Sequence, residues 1–349
     1  MLKAKSKIKL FTHTDLDGVG CDVLGRLAFE NIDVSHVDYH NVDTEVEAFI
    51  QKHEYEEYDR VFITDISVNA DVAHLIQTFM PEKTTLLDHH QTALHLNSYD
   101  WADVRTVGVL GKESGTNMFF EYLTMSGFFY RERIGDPIEA FVEKVRRYDT
   151  WEWRELYNDE EALKLNNLFW LLGKEKFVKE FIKKFNSNLF TFSEGNWNQM
   201  FDSSDEAVLE VDRNKAEAYF YKKSKQMVRT KLFGRSIGVV FAEQYISELG
   251  NHLSEKNKDL SYIAIIDMGQ KKVSLRTVKD DINLGTEVAS RFEGGGHAKA
   301  SGFQFSEDIQ KLSILSVFST TGLVDKLSQI VYGNGVLGKV SKFIDKFKR

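Results

Sequence analysis

Residues 8–18, IKLFTHTDLDG, decide the fold. A short β-rich run feeds directly into two aspartates, a glycine and the start of a helical pattern. The device recurs twice downstream. RVFIT leads into Asp65 in RVFITD at residues 60–65, and TTLL leads into Asp88, His89 and His90 at residues 84–90. Between these runs lie the strand-like DVSHVDYH and helical patterns over residues 19–30, 44–53 and 70–80. Short strands alternating with helices predict an α/β fold whose N-terminal domain is built on a doubly wound parallel sheet.

In such a sheet, ligands gather beyond the carboxyl ends of the strands. The spacing therefore brings His13, Asp15 and Asp17 from one strand, Asp65 from a second, and Asp88, His89 and His90 from a third to one rim. Carboxylates packed that closely disfavour one another's ionisation, and a bound cation is the simple remedy. Mixed Asp and His donors without thiolate suit Mn²⁺, or Mg²⁺ or Co²⁺, better than Ca²⁺. Two ions roughly 3.5–4 Å apart would share a carboxylate and neutralise charge on an in-line phosphoryl displacement. Asp65, arriving alone, is the candidate bridge. One aspartate after a strand is usually a turn or a helix cap, which suits Asp15 or Asp65 taken singly. The constellation of Asp15, Asp17, Asp65, Asp88 and His89 favours metal.

The chain has 349 residues, which predicts two domains. Cys21 is its one cysteine, which excludes an internal disulfide and a thiolate zinc site. No run of eighteen apolar residues and no signal-peptide pattern is present, so the expected location is the cytoplasm, without membrane association. A net charge of −8 argues against a protein that grips a long phosphate backbone or a long duplex. The charge is uneven: residues 1–200 carry 22 basic and 34 acidic side chains, and residues 201–349 carry 23 and 19. An acidic metal-binding part beside a mildly basic phosphate-reading part would produce this, as would chance variation of surface charge.

From Gly115 to about Lys184 the pattern is mainly helical, residues 185–204 lose periodicity, and residues 205–230 read as one long charged helix. A second, smaller α/β pattern follows in SIGVVFAE, YISELGNHL, SYIAIIDM, KKVSLRT, a helix over residues 285–292, and GGGHAKASG. The expected domains are residues 1–190, a helical linker at 191–230, and residues 231–349. The last stretch, from Val324, reads as amphipathic helix and is a candidate homodimer contact. Gly294, Gly295 and Gly296 ahead of His297 would let a phosphate approach the main chain. Ser114 and Thr116, in ESGTN at a helix start, are placed either to cap that helix or to meet a phosphate. Lys299 and Arg291 are further phosphate contacts in prospect, or solvent-facing charges.

HTDLDG, FITD, LLDHH and RRYDTW resemble, in order and spacing, the successive motifs of the DHH phosphoesterase superfamily, and GGGHAKASG resembles the signature of its DHH-associated C-terminal domain. The resemblance spans about residues 8–305. It implies that His13, Asp15 and Asp65 bind one metal and that Asp17, Asp65, His89 and Asp149 bind another. Asp88 would be a ligand or an orienter of the two histidines, and His90 would lie near the substrate phosphate or leaving group. Asp65, His89 and His90 would form the catalytic centre. Asp149 would otherwise read as solvated surface, and Tyr148, Trp151 and Trp153 as core packing or base-stacking platforms. In the second domain, the resemblance assigns Arg276 and the loop Gly294, Gly295, Gly296 and His297 to holding a phosphate or terminal nucleotide opposite the metals. YISELGNHL resembles the oligoribonuclease branch, with Glu248, Asn251 and His252 lining a cleft.

Within the superfamily, the sequence leads us to expect no oligonucleotide-binding barrel of the RecJ type, no pyrophosphatase spacing, and no transmembrane parts such as those of membrane-bound cyclic-dinucleotide enzymes. THTDLDGVGC is most similar to the nanoRNase group. The implied activity is a two-metal phosphodiesterase trimming short RNA oligonucleotides or dinucleotides to nucleoside monophosphates. A RecJ-like exonuclease, a phosphodiesterase of linear or cyclic dinucleotides such as pApA, and a non-catalytic nucleotide-binding module are the alternatives. No ligand is missing from the metal motifs, which weighs against the last.

Overall fold

A computed structural model describes residues 5–129, 137–187, 191–193, 196–198 and 200–317. The expected C-terminal helix, and the homodimer contact placed on it, lie outside these residues. The chain divides into two compact units, Met1–Val211 and Asp212–Arg349.

The first unit runs β1 (Lys7–Thr12), α1 (Leu16–Ala28), β2 (Asn31–His36), α2 (Val42–Gln51), β3 (Arg60–Thr64), α3 (Ala70–Phe79), β4 (Thr84–Asp88) and β5 (Ala102–Val104). A small hairpin follows, β6 (Val107–Gly108) with β7 (Gly111–Lys112), then the helices α4 (Gly115–Met125), α5 (Pro137–Asp149), α6 (Glu160–Leu172) and α7 (Lys174–Asn186). A second hairpin, β8 (Thr191–Ser193) with β9 (Asn196–Asn198), precedes the long helix α8 (Ser203–Gln226). The main sheet has the order β2-β1-β3-β4-β5 and is parallel throughout.

Side chains of a strand alternate between faces, and the core divides accordingly. Ile8, Leu10, Phe62 and Leu87 pack with α1, α4, α5, α6 and α7 on one face, whereas Phe11, Val61, Ile63 and Leu86 pack with α2 and α3 on the other. With both faces covered, the functional groups are left to the strand ends. The order reverses between β1 and β3, which is where a doubly wound sheet opens its ligand crevice.

The helix expected from residue 19 begins three residues earlier. Asp15 caps it, its Oδ1 accepting from the Gly18 amide at 3.1 Å. The helix expected over residues 205–230 ends at Gln226, and the division between the units falls inside it. Val228, Arg229 and Thr230 belong instead to a strand, because pairing with a neighbouring strand overrides the helical pattern of a charged, weakly amphipathic segment.

The second unit continues from α8 through β10 (Val228–Leu232), β11 (Arg235–Phe241), α9 (Ile246–Lys256), β12 (Tyr262–Asp267), β13 (Lys272–Arg276), β14 (Gly295–Gly296), β15 (Ala300–Gln304) and α10 (Glu307–Val317). Its sheet, ordered β10-β11-β12-β13-β15-β14, is antiparallel except for the β11–β12 pair. Leu249 and Leu253 of α9 fill one face, and Leu284, Val288 and Ala289 the other. The helix expected over residues 285–292 is two short turns, a wide one at Leu284–Val288 and a tight one at Ala289–Phe292. Gly285 approaches the Gly296 carbonyl so closely that a Cβ would sit 2.4 Å from its oxygen, which fixes the local path. No described helix is long and apolar enough to cross a membrane.

Candidate metal centre

The loop after β1 carries His13 and Asp15, the first turn of α1 carries Asp17, and the ends of β3 and β4 carry Asp65 and Asp88 with His89 and His90. Asp17, Asp65 and Asp88 are buried. Three donor groups gather here, the ligand atoms of each within 4.8 Å of one another: His13 with Asp15 and Asp65, Asp17 with His89 and Asp149, and Asp65 with Asp88, His89 and His90. His89 Nε2 lies 3.2 Å from Asp65 Oδ1, 3.4 Å from Asp149 Oδ2 and 3.7 Å from Asp17 Oδ2. On the other side of Asp65, His13 Nδ1 lies 3.8 Å from Asp65 Oδ2 and 2.9 Å from Asp15 Oδ2.

Each acid is held differently. Asp17 faces the start of α4, where its two carboxylate oxygens accept from the Gly115 amide at 2.6 Å and the Thr116 amide at 2.9 Å. Unpaired amides and the helix dipole make that position hospitable to negative charge. Asp65 has a backbone φ of 57°, a left-handed conformation rarely adopted by a residue with a side chain. Its amide is anchored on the Leu87 carbonyl at 3.0 Å. Asp88 Oδ1 accepts from the His89 amide at 2.8 Å and meets His90 Nδ1 at 2.7 Å, fixing the His90 ring and the His89 backbone.

Burial and the charges of Asp17, Asp15 and Asp149 push the Asp65 carboxyl well above the ordinary carboxylate range. Burial, with Asp17, Asp15 and Asp88, does the same to Asp149. Burial works against Asp15 as well, but the adjoining His13 and the Gly18 amide hold it below the usual range. Burial pulls His89 down, which favours the neutral imidazole a metal requires. His90 is raised: burial opposes the proton, and the bond to Asp88 outweighs it.

The donor set fits a divalent cation. Asp65 Oδ2 and Asp88 Oδ2 are buried without a hydrogen-bond partner, and orphaned buried polar atoms are uncommon in folded proteins. Nitrogen and oxygen donors converging on unsatisfied, mutually repelling carboxylates are what Mn²⁺ or a similar ion would relieve.

Asp149 is the last residue of α5, and its place depends on a buried ion-pair network. The Arg146 guanidinium, fully buried, donates to Glu143 through Nε at 2.7 Å, and through Nη1 to Glu152 at 2.7 Å and to the Lys112 carbonyl at 2.8 Å. Glu152 in turn accepts from the Lys112 amide at 3.1 Å. One guanidinium thus ties the residues on both sides of Asp149 to the β6–β7 hairpin. Glu152→Ala leaves that cation partly unpaired; it is expected to lower stability by about 3 kcal/mol and to raise the Mn²⁺ concentration needed for half-maximal activity. Thermal melts and metal titrations check both.

Gly115 is equally constrained. A Cβ there would lie 2.3 Å from the Asp65 Cβ and 2.7 Å from its Cα, so Gly115→Ala must displace Asp65. Calorimetry with Mn²⁺ is expected to show weakened binding by at least about tenfold; unchanged affinity would show that the centre tolerates the shift.

Of the remaining expected positions, Ser114 requires correction. It is fully buried and caps α4, its hydroxyl accepting from the Asn117 amide at 3.2 Å, so it has no surface to offer a substrate. Trp153 stacks with Tyr148 at 6.3 Å and meets Trp151 edge-on at 5.6 Å, while Trp151 is 43 % exposed. Tyr39 was not singled out in the sequence, yet its hydroxyl lies 2.9 Å from His90 Nε2. The two residues are 51 positions apart, and no local pattern signals the pairing.

In the second unit, Arg276 ends β13, its guanidinium donating to the Ser247 hydroxyl and the Leu275 carbonyl, each at 2.9 Å. Gly294 has no room for a Cβ against Gly302 and Phe303, Gly296 has φ 126°, and Gly295 and His297 are exposed. Lys299 pairs with Asp280, and Arg291 lies 4.5 Å over the Phe233 ring, so both have other partners. His252 packs on Phe220 at 5.2 Å, and Glu248 is exposed.

No family model matches the chain. It is 37 % identical over 314 residues to the oligoribonuclease NrnB of Bacillus subtilis, covering 88 % of this chain and 75 % of that protein. The exonuclease RecJ bound to manganese superposes with a TM-score of 0.50 at 14 % identity, over 93 % of this chain and 94 % of that one, which shows a shared fold. The pGpG-specific phosphodiesterase PggH from Vibrio cholerae aligns with a TM-score of 0.49 at 15 % identity, over 89 % and 97 % of the two chains. Identity as high as that to NrnB, over nearly nine-tenths of the sequence, goes beyond a common fold: the chain belongs to the NrnB oligoribonuclease family of the DHH phosphoesterases.

Proposed function

We propose that this chain is a two-metal phosphodiesterase that hydrolyses short RNA oligonucleotides to nucleoside monophosphates, with Mn²⁺ as its ion and the cytoplasm as its setting. The observation that carries the reading is that Asp65 stands between two donor sets, as a bridging carboxylate must. His13, Asp15 and Asp65 would hold one ion, and Asp17, Asp65, His89 and Asp149 the other. Ions held there would supply Lewis acidity toward the phosphoryl oxygens and a hydroxide nucleophile at neutral pH.

The chain's own groups do the rest. The α4 amides hold the Asp17 carboxylate in place. Asp88 meets His90 Nδ1 at 2.7 Å and fixes that ring at the edge of the centre, the position assigned to a substrate phosphate or leaving group. Arg276, pinned by Ser247, and the loop of Gly294, Gly295, Gly296 and His297 are the groups assigned to a substrate phosphate.

A short substrate needs few phosphate contacts, which agrees with a net charge of −8. End-labelled RNA and DNA from dinucleotide to 24-mer, digested with Mn²⁺ and resolved by product, tests the assignment. Dinucleotides to pentamers of RNA are expected to be cut at least about ten times faster than the 24-mer. Equal rates on the long strand would replace the reading with a RecJ-like exonuclease.

A further inference from the structure

Tyr39 is a large aromatic side chain, 56 % exposed, at the edge of the metal centre. Its ring centroid lies 5.0 Å from that of His13 and 5.9 Å, edge-on, from that of His90. Its hydroxyl is fixed on His90 Nε2 at 2.9 Å, and His90 is fixed through Nδ1 on Asp88 at 2.7 Å. Both ring nitrogens of His90 are therefore taken, and the exposed side chain bonded to it is Tyr39. The backbone beneath is tied down as well. The Val37 amide donates to the Thr12 carbonyl at 2.9 Å, Asp38 accepts from the His40 amide at 2.8 Å, and the Asp38 amide donates to Asn41 at 2.8 Å.

A solvent-facing tyrosine with no role is free to change rotamer, and one that serves packing is buried. Tyr39 is neither, being exposed and immobilised at both ends. An aromatic face ordered before any ligand arrives loses little further entropy on binding, and every nucleobase has a π-face to lay against it. We propose that the exposed face of Tyr39 is a nucleobase platform, stacking the base of the nucleotide whose phosphate occupies the metal centre. The assignment rests on the phosphodiesterase reading above and adds a selection rule to it. Stacking accepts all four bases, so RNA of any sequence is admitted, whereas phosphate esters without a base are disfavoured.

Binding distinguishes this from the hydrolase reading, because it needs no turnover. Calorimetry on the Mn²⁺-loaded full chain compares adenosine 5′-monophosphate with ribose 5-phosphate, which lacks only the base. The wild type is expected to bind the nucleotide about tenfold more tightly. Tyr39→Leu is expected to bring the nucleotide down to the ribose 5-phosphate level while leaving ribose 5-phosphate itself unchanged. Tyr39→Phe keeps the ring and is expected to retain the preference. Equal affinity for the two ligands in the wild type, a preference that survives Tyr39→Leu, or a parallel loss of both ligands in that variant would each overturn the proposal. A preserved nucleotide preference in a protein that cuts no RNA would support the platform and remove the hydrolase reading alone.

Discussion

Asp65→Asn is expected to reduce hydrolysis of short RNA by at least about a thousandfold, because both proposed donor sets would lose the carboxylate they share. The same change is expected to stabilise the metal-free protein. Asp65 is buried among Asp17, Asp15 and Asp149, and its carboxyl is raised well above the unfolded value of 3.8. For an acid shifted in that direction, the native protein binds the proton more tightly than the unfolded chain does. The stability it contributes is fully present below pH 3.8 and is lost as pH rises through the folded-state pKa. Asp149 acts with the same sign. In chelator at neutral pH, Asp65→Asn should therefore melt higher than wild type by roughly 2–8 °C, corresponding to about 1–3 kcal/mol. Its stability should also fall less steeply between pH 4 and neutrality. A variant that is inactive and also less stable without metal would assign Asp65 a packing role instead.

Chelation is the second large effect. Stripping divalent ions from the wild type is expected to stop turnover, and Mn²⁺ to restore it. An ion at one hundred times its dissociation constant stabilises the native state by about 2.7 kcal/mol. Two such ions should raise the melting temperature by roughly 10 °C. The increment should shrink to that of one ion or less in Asp65→Asn, and Ca²⁺ should produce less of it than Mn²⁺ because each implied donor set includes an imidazole. Activity that persists through exhaustive chelation, with no change in melting, would contradict the metal assignment.

The strand ends were legible because they obey a local rule. Alternation in β1, β3 and β4 is written in adjacent residues, and an acid that terminates each run must appear at one edge once the strands are parallel. The order of the strands was not legible, since it depends on which faces the helices cover. Asp149 was reached only through the resemblance of RRYDTW to a family motif. Its helix is charged and amphipathic like many surface helices, and folding alone brings its last residue to within 3.4 Å of His89. Tyr39 lay beyond sequence reasoning for the same cause, its partner being on a different strand end.

Ser114 was left open between two uses by the sequence. A serine ahead of a helix has two uses, and burial decides for the cap. Residues 228–230 continue a helical pattern that the sheet of the second unit claims. The amides of Gly115 and Thr116 serve Asp17 across 98 and 99 positions of sequence, so α4 supports the centre through backbone groups that no side-chain pattern reports.

Metal content tests the central assignment most directly. Protein stripped with chelator, reloaded with Mn²⁺ and desalted, is measured by elemental analysis alongside Asp65→Asn. Two manganese ions per wild-type chain, falling to one or none in the variant with the fold retained by circular dichroism, is the expected result. A wild-type chain that holds no manganese, or a content that Asp65→Asn leaves unchanged, would contradict a centre bridged by Asp65.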